Sequence, residues 1–204
     1  MNSETSILVA SCSMYKNMWN PFFYLLKEYW EDCPFKIYLG SDKYTNNYSH
    51  KDHNITLLKT DIEPYASTYS DRVADFVGQI NSKYVILFLE DHLIDEEVDT
   101  NEVLKCIEIL EESKEEYKGI RLHAIDKDCG LGERKHRINN RININECSSS
   151  QPFWFSFQST LWDREFLLKS LNSFSGNGID CEREITNSMK KNNNKILALA
   201  HEDD

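Results

Sequence analysis

No apolar run in this chain approaches the ~18 residues of a membrane-spanning helix, so the sequence offers no integral membrane segment. A basic excess is missing too. Against 23 lysines and arginines stand 34 aspartates and glutamates, a formal net charge of −11. Neither a nucleic-acid backbone nor an anionic membrane surface is therefore expected as the main partner. None of the six cysteines (Cys12, Cys33, Cys106, Cys129, Cys147, Cys181) stands in CxxC spacing, which argues against a zinc site or a disulfide framework. Reduced thiols in a cytoplasmic protein are expected instead. Internal repeats and low-complexity tracts are also lacking, and the apolar run near the start is too short for a signal peptide. What remains is ordinary for a globular protein: 204 residues, 40% hydrophobic and 28% charged, enough for one domain with a sizeable core. The acidity has one further consequence. A phosphate-bearing ligand needs a cation between itself and this protein.

The most informative stretch is Tyr84-Val-Ile-Leu-Phe-Leu89, an uninterrupted apolar run that stops on Glu90-Asp91-His92. Such a run reads as a strand buried on both faces, in the middle of a parallel sheet. Ligands of open α/β sheets bind beyond the carboxyl ends of such strands. Glu90, Asp91 and His92 are thus the first candidates for chemistry.

Around this strand the chain alternates. Residues 6–11 predict a first strand, and Asn20-Pro21 predicts a cap and first helical position ahead of Phe22, Leu25, Leu26 and Tyr29. Residues 35–39 predict the second strand, completing a right-handed βαβ unit that runs into Gly40-Ser41-Asp42. A third strand follows at 54–58. Ser67 is a candidate cap for a helix whose buried face is Val73, Phe76, Val77 and Ile80, and Asp99-x-x-Glu102 for one carrying Val103, Leu104, Ile107 and Leu110. Residues 119–124 predict another strand. From 127 to 145 the basic residues Arg134, Lys135, His136, Arg137 and Arg141 predict a loop or short hairpin, either solvated or anion-binding. Asp163 and Asp180 are candidate caps for two later helices, and residues 195–199 form a last strand before His201. The pattern is one α/β domain over 1–204, with a parallel nucleotide-binding half (about 1–125) and a less regular acceptor-side half (about 126–204).

Three stretches, taken in order, carry a family resemblance. Ser70-Asp71-Arg72 leads on a helix into the strand ending at Glu90-Asp91. Phe155-Ser-Phe-Gln158-Ser-Thr-Leu-Trp162 precedes a leucine-rich helix, and Ile179-Asp180-Cys181-Glu182 matches a W-D-F-E-like segment. Across about residues 6 to 200 the chain resembles the GT-A glycosyltransferases. More narrowly, it is similar to small bacterial glycosyltransferases of surface-polysaccharide and lipopolysaccharide synthesis. It departs from them at Glu90-Asp91-His92, where DxD or DD is usual, and at Ile179, where an aromatic is usual.

The resemblance implies a GT-A-like, mainly parallel mixed sheet flanked by helices. It also implies a nucleotide-diphosphate sugar as donor, and a hydroxyl of a bacterial surface glycan or lipid-linked sugar as acceptor. The departing diphosphate calls for Mg²⁺ or Mn²⁺, with Asp91, His92 and His201 as the implied metal-site residues. Ser11, Tyr15, Asp42, Arg72 and Glu90 fall on the nucleotide side, Gln158 and Trp162 on the acceptor side. Removing the acceptor proton needs a carboxylate, and Glu182 is the implied base with Asp180 as alternative. Blander roles stay open: Asp180 as a helix cap, Trp162 as core, Arg72 in an ion pair, His92 as a loop residue. Two other functions stay open as well. One is a sugar-1-phosphate nucleotidyltransferase, although Ser11-Cys-Ser-Met-Tyr15 lacks the glycines of that class. The other is a non-catalytic nucleotide- or glycan-binding relative.

Overall fold

The apolar runs become strands and the periodic segments become helices in the computed structural model, which describes residues 4–51, 54–123, 131–139 and 142–201. In chain order they are β1 (Thr5–Ala10), α1 (Lys16–Tyr29), β2 (Lys36–Asp42), β3 (Ile55–Thr60), α2 (Tyr69–Gly78), β4 (Tyr84–Leu89), α3 (Thr100–Ser113) and β5 (Tyr117–Arg121). Then come β6 (Leu131–Arg137), β7 (Ile142–Cys147), β8 (Thr160–Asp163), α4 (Arg164–Asn172), α5 (Gly178–Lys191) and β9 (Lys195–His201). The nine strands form one mixed sheet in the order β3-β2-β1-β4-β8-β5-β9-β7-β6. Parallel pairing joins β3, β2, β1 and β4; β8 then enters antiparallel between β4 and β5.

Two cores lie on the two faces of this sheet. Along β1 and β4, Ile7, Val9, Tyr84, Ile86 and Phe88 point to one side, where α1 and α3 bring Trp19, Phe22, Phe23, Leu26 and Leu110. Leu8, Ala10, Val85 and Leu87 point to the other, against Val73, Phe76 and Val77 of α2, Leu167 and Leu171 of α4, and Ile185 and Met189 of α5. Burial on both faces explains why β4 is apolar without alternation. Packing on the α2 side is close. A Cβ added to Gly40 of β2 would lie 2.4 Å from Cδ2 of Phe76, a buried ring with little room to retreat. Gly40→Ala is accordingly expected to lower unfolding stability by about 1–3 kcal/mol, read from urea denaturation midpoints at unchanged m.

Several local expectations change. α1 starts at Lys16, directly after a 3₁₀ turn at Ser13–Tyr15, so Asn20 and Pro21 sit inside the helix. Burial of Trp19, whose Nε1 donates to Ser11 Oγ at 2.7 Å, holds this earlier start. Ser67 lies in a second 3₁₀ turn (Ala66–Thr68) and α2 begins after it. The cap of α5 is Asn177, which accepts from the Asp180 N–H at 2.9 Å, while Asp180 sits in the first turn. Asp99 and Asp163 cap α3 and α4, accepting from Asn101 N and Phe166 N at 2.7 Å each. The basic segment forms the β6–β7 hairpin at the sheet edge, where Lys135 lies 3.4 Å from Glu133 and 3.5 Å from Glu146. Arg141 lies outside the described residues.

Candidate active site

The carboxyl ends of β1, β2 and β4 adjoin, with β1 between the other two. The strand order reverses there, since β2 and β4 lie on opposite sides of β1, and this makes the crevice in which open sheets bind ligands. Ser11 closes β1: its N–H donates to Gly40 O at 3.0 Å, and its carbonyl accepts from Arg72 Nη1 at 3.3 Å. Arg72 comes from the first turn of α2 and is 5% exposed, yet its Nε has no hydrogen-bond partner. Its guanidinium stands 5.5 Å from the ring centre of Tyr69, one turn earlier on the same helix. The Tyr69 hydroxyl is itself buried and without a partner.

Glu90, 7% exposed, turns inward toward this pair. Burial raises its carboxyl above the ordinary range and nearby Asp91 adds to that, while hydrogen bonding from Ser11 and the charge of Arg72 pull it back. The chain turns immediately after β4, with His92 N donating to Leu89 O at 3.2 Å. That turn sends Asp91 outward, its side chain 66% exposed, with His92 Nε2 4.0 Å from Asp91 Oδ1. Among the described residues no three or more His, Cys, Asp or Glu side chains gather as a metal cage. Of the two neighbouring carboxylates Asp91 is the one open to a hard cation such as Mg²⁺ or Mn²⁺, which takes one or two carboxylates and completes its shell with substrate phosphates and water. His201 ends β9, paired with Ile142, and its side chain lies outside the described residues.

Across the crevice, α5 presents Glu182. Its Oε1 accepts from Phe157 N at 2.7 Å and from Ser156 Oγ at 3.0 Å. The Phe157 ring meets Tyr69 edge-on at 4.9 Å, which ties the base candidate to the Arg72 side. Burial pushes the Tyr69 phenol well above its usual value; Glu90, Glu182 and Asp91 push it the same way, and Arg72 opposes them. One phenol therefore senses all four charged side chains.

Three implied site residues are engaged by their surroundings. Asp42 is fully buried, and both carboxylate oxygens accept backbone N–H bonds, from Ser13 at 2.7 Å and Tyr44 at 3.0 Å. It shapes the loops after β1 and β2 and is not turned to a ligand. Asp180 is held by Asn177 Nδ2 at 2.6 Å and by an ion pair with Arg183, so its oxygens serve the start of α5. Trp162 is fully buried, its ring 5.0 Å from Phe155 and 6.2 Å from Phe166. No face of that indole is open to a sugar. Tyr15 and Gln158, by contrast, are exposed.

Sequence reasoning missed Tyr69 and Ser156. Tyr69 carried a signal, since it lies three residues before Arg72 and such pairs share a helix face. The grip on Glu182 comes half from a backbone N–H, which no residue type encodes. Tyr44 and Tyr65, exposed after β2 and β3 as Tyr15 is after β1, also went unnoticed.

No family model matches the chain, and no curated protein matches it. Solved structures do. The crystal structure of S. aureus TarS aligns with 97% of this chain at TM-score 0.58 and 12% identity. TarS 1–349 in complex with UDP aligns at TM-score 0.61 and 12% identity, and its complex with UDP-GlcNAc at 0.57 and 15%, each over 97% of this chain. The chain has a GT-A-like glycosyltransferase fold. It spans 35% of the length of the TarS chain and 59% and 57% of the two complexed fragments. Among the described residues, no helix is long and apolar enough to cross a membrane.

Proposed function

We propose that the chain is a glycosyltransferase that moves a sugar from a nucleotide diphosphate to a hydroxyl of a glycan acceptor. The carrying observation is the pairing of Arg72 with Tyr69, 5.5 Å apart and each with an unpartnered buried polar atom, at the carboxyl ends of β1 and β4. An orphaned guanidinium nitrogen and an orphaned phenol in one crevice are costly unless a ligand meets them. A phosphorylated nucleoside supplies the acceptor oxygens that both lack.

In this reading Ser11, Arg72 and Glu90 meet the nucleotide, with Tyr15 as a stacking surface. Asp91, assisted by Glu90, would hold Mg²⁺ or Mn²⁺, which neutralises charge on the departing diphosphate when bound. His92 and His201 are the further implied ligands. Glu182 takes the proton of the acceptor hydroxyl as the new C–O bond forms at the anomeric carbon and the old bond to phosphate breaks. The Phe157 N–H and Ser156 hydroxyl fix Glu182 through Oε1; no hydrogen bond to Oε2 occurs among the described residues, so that oxygen is available as the base. Gln158, on the same loop, faces the acceptor.

UDP is the first nucleotide to test, because TarS structures contain UDP and UDP-GlcNAc. Thermal-shift screening of UDP-, GDP-, CMP- and dTDP-linked sugars with and without Mn²⁺ is expected to give a metal-dependent upward shift with UDP-sugars. A ligand at 100 times its Kd adds about 2.7 kcal/mol, enough to read. No shift with any nucleotide would overturn the transferase reading in favour of a non-catalytic relative.

A further inference from the structure

The segment from 151 to 159, between β7 and β8, is held from two sides. On the helix side, α5 carries three polar residues at i, i+4 and i+8, a spacing that puts Glu182, Thr186 and Lys190 on one face. All three bond to this segment. Thr186 Oγ1 accepts from Phe155 N at 3.0 Å, and Lys190 Nζ donates to Gln151 O at 2.6 Å. These stand beside the bonds that Glu182 accepts from Phe157 N and Ser156 Oγ. On the sheet side, β5 and the residue after it hold the same segment. The Arg121 guanidinium donates to Phe153 O and, at 3.4 Å, to Gln151 Oε1, while Leu122 N donates to Ser159 O at 3.0 Å. The buried rings of Phe155 and Phe157, 5.2 Å apart and edge-on, belong to the core on this face.

These anchors leave little slack where the segment meets Glu182. Four residues of helix rise about 6 Å, and two residues of chain span at most about 7 Å. Phe155 and Phe157 therefore keep pace with Thr186 and Glu182 with almost no chain to spare, and a slip of one residue carries the Phe157 N–H away from Oε1. Thr186 is 1% exposed, so its oxygen answers the Phe155 N–H where water does not replace it. Arg121 is buried as well, and the β5–β8 and β8–β4 ladders tie its strand to the one that leads into Glu90 and Asp91. Glu182 is thus referenced, through this segment, to the sheet that carries the other acidic residues of the site.

We infer that Thr186, Lys190 and Arg121 are positioning residues: they fix the register of residues 151–159 and, through Phe157 N and Ser156 Oγ, the carboxylate of Glu182. The inference rests on the reading of Glu182 as the base. Thr186 is buried and Lys190 stands two turns of α5 beyond Glu182, so their effect on turnover runs through the base. A reacting group misplaced by about 1 Å loses on the order of 10²-fold in rate. The same register sets Gln158, whose N–H donates to Ser156 Oγ at 3.2 Å, so the base and the acceptor-side amide move together.

The test compares Thr186→Val, which keeps the shape and deletes the acceptor oxygen, with Thr186→Ser, which restores it. UDP-GlcNAc with Mn²⁺ is the donor probe and water the acceptor hydroxyl; UDP release per folded protein gives the rate, and amide hydrogen exchange reports on the Phe157 N–H. Thr186→Val is expected to lower kcat by about 10–100-fold at unchanged UDP affinity, and to speed exchange at Phe157. Thr186→Ser should recover most of the rate. Lys190→Met, which keeps an apolar stem beside the Trp154 ring, should act in the same direction more weakly. Added to Glu182→Gln, Thr186→Val should cost no more than about twofold further, because residues that act as a unit are non-additive. Additive losses would overturn the inference. So would full turnover by Thr186→Val, or a Phe157 amide as protected as in the unaltered protein. Should Thr186→Val not fold, the same outcomes are read from Lys190→Met. Full turnover by Glu182→Gln, or no UDP release by the unaltered protein, sinks the base reading instead, and exchange at Phe157 then decides whether Thr186 and Lys190 hold the segment on Glu182.

Discussion

Glu182→Gln is expected to lower transferase turnover by about 10²–10⁴-fold, the usual contribution of a positioned general base, with UDP affinity changed no more than a few-fold. Glutamine retains an oxygen that accepts from Phe157 N and Ser156 Oγ, so the α5 contact and the loop geometry survive. Only the capacity to take a proton goes. Product formation with a UDP-sugar, alongside UDP titration, separates the two effects. The neighbouring carboxylate supplies the control. Asp180 is already held by Asn177 and Arg183, so Asp180→Asn should leave turnover within a few-fold. Equal losses from the two variants would remove Glu182 from its assigned role.

The second large effect falls on stability. Trp162→Ala is expected to lower unfolding free energy by about 3–5 kcal/mol, the range for truncating a large buried aromatic. The indole has no exposed surface and packs between Phe155 and Phe166. It also lies flat on the neighbouring strand, where a Cβ on Gly119 would stand 2.6 Å from Trp162 Cε3. Its removal leaves a cavity that β5, β8 and α4 cannot all collapse into at once. Urea denaturation reads this directly. A stable variant with weakened acceptor binding would return Trp162 to the acceptor side.

The parts of this fold that were legible in the sequence are those where one face decides. β1 and β4 followed from unbroken apolar runs, and the inner faces of α1, α2 and α3 from i, i+3, i+4 spacing. The insertion of antiparallel β8 between β4 and β5 left no local mark, because the pairing partner of a short strand is a tertiary choice. Trp162 shows the same limit: a strand with both sides covered gives no clue to which aromatics are core. For Asp42 and Asp180 the difficulty is chemical. A carboxylate near a ligand-binding end looks alike in sequence whether it faces substrate or satisfies backbone N–H groups, and both were already committed to loop and helix starts. Arg72 and Glu90 did come to one crevice, because each lies at the end of an element whose register the buried core fixes.

The most direct measurement is the affinity of UDP, with Mn²⁺ present, for the unaltered protein and for Arg72→Met. Methionine keeps an apolar stem against Tyr69 and deletes the guanidinium with its unpartnered Nε. The account predicts saturable UDP binding to the unaltered protein and at least tenfold weaker binding to the variant at similar thermal stability. Equal affinities, or no binding to either, would contradict a nucleotide site at the carboxyl ends of β1 and β4.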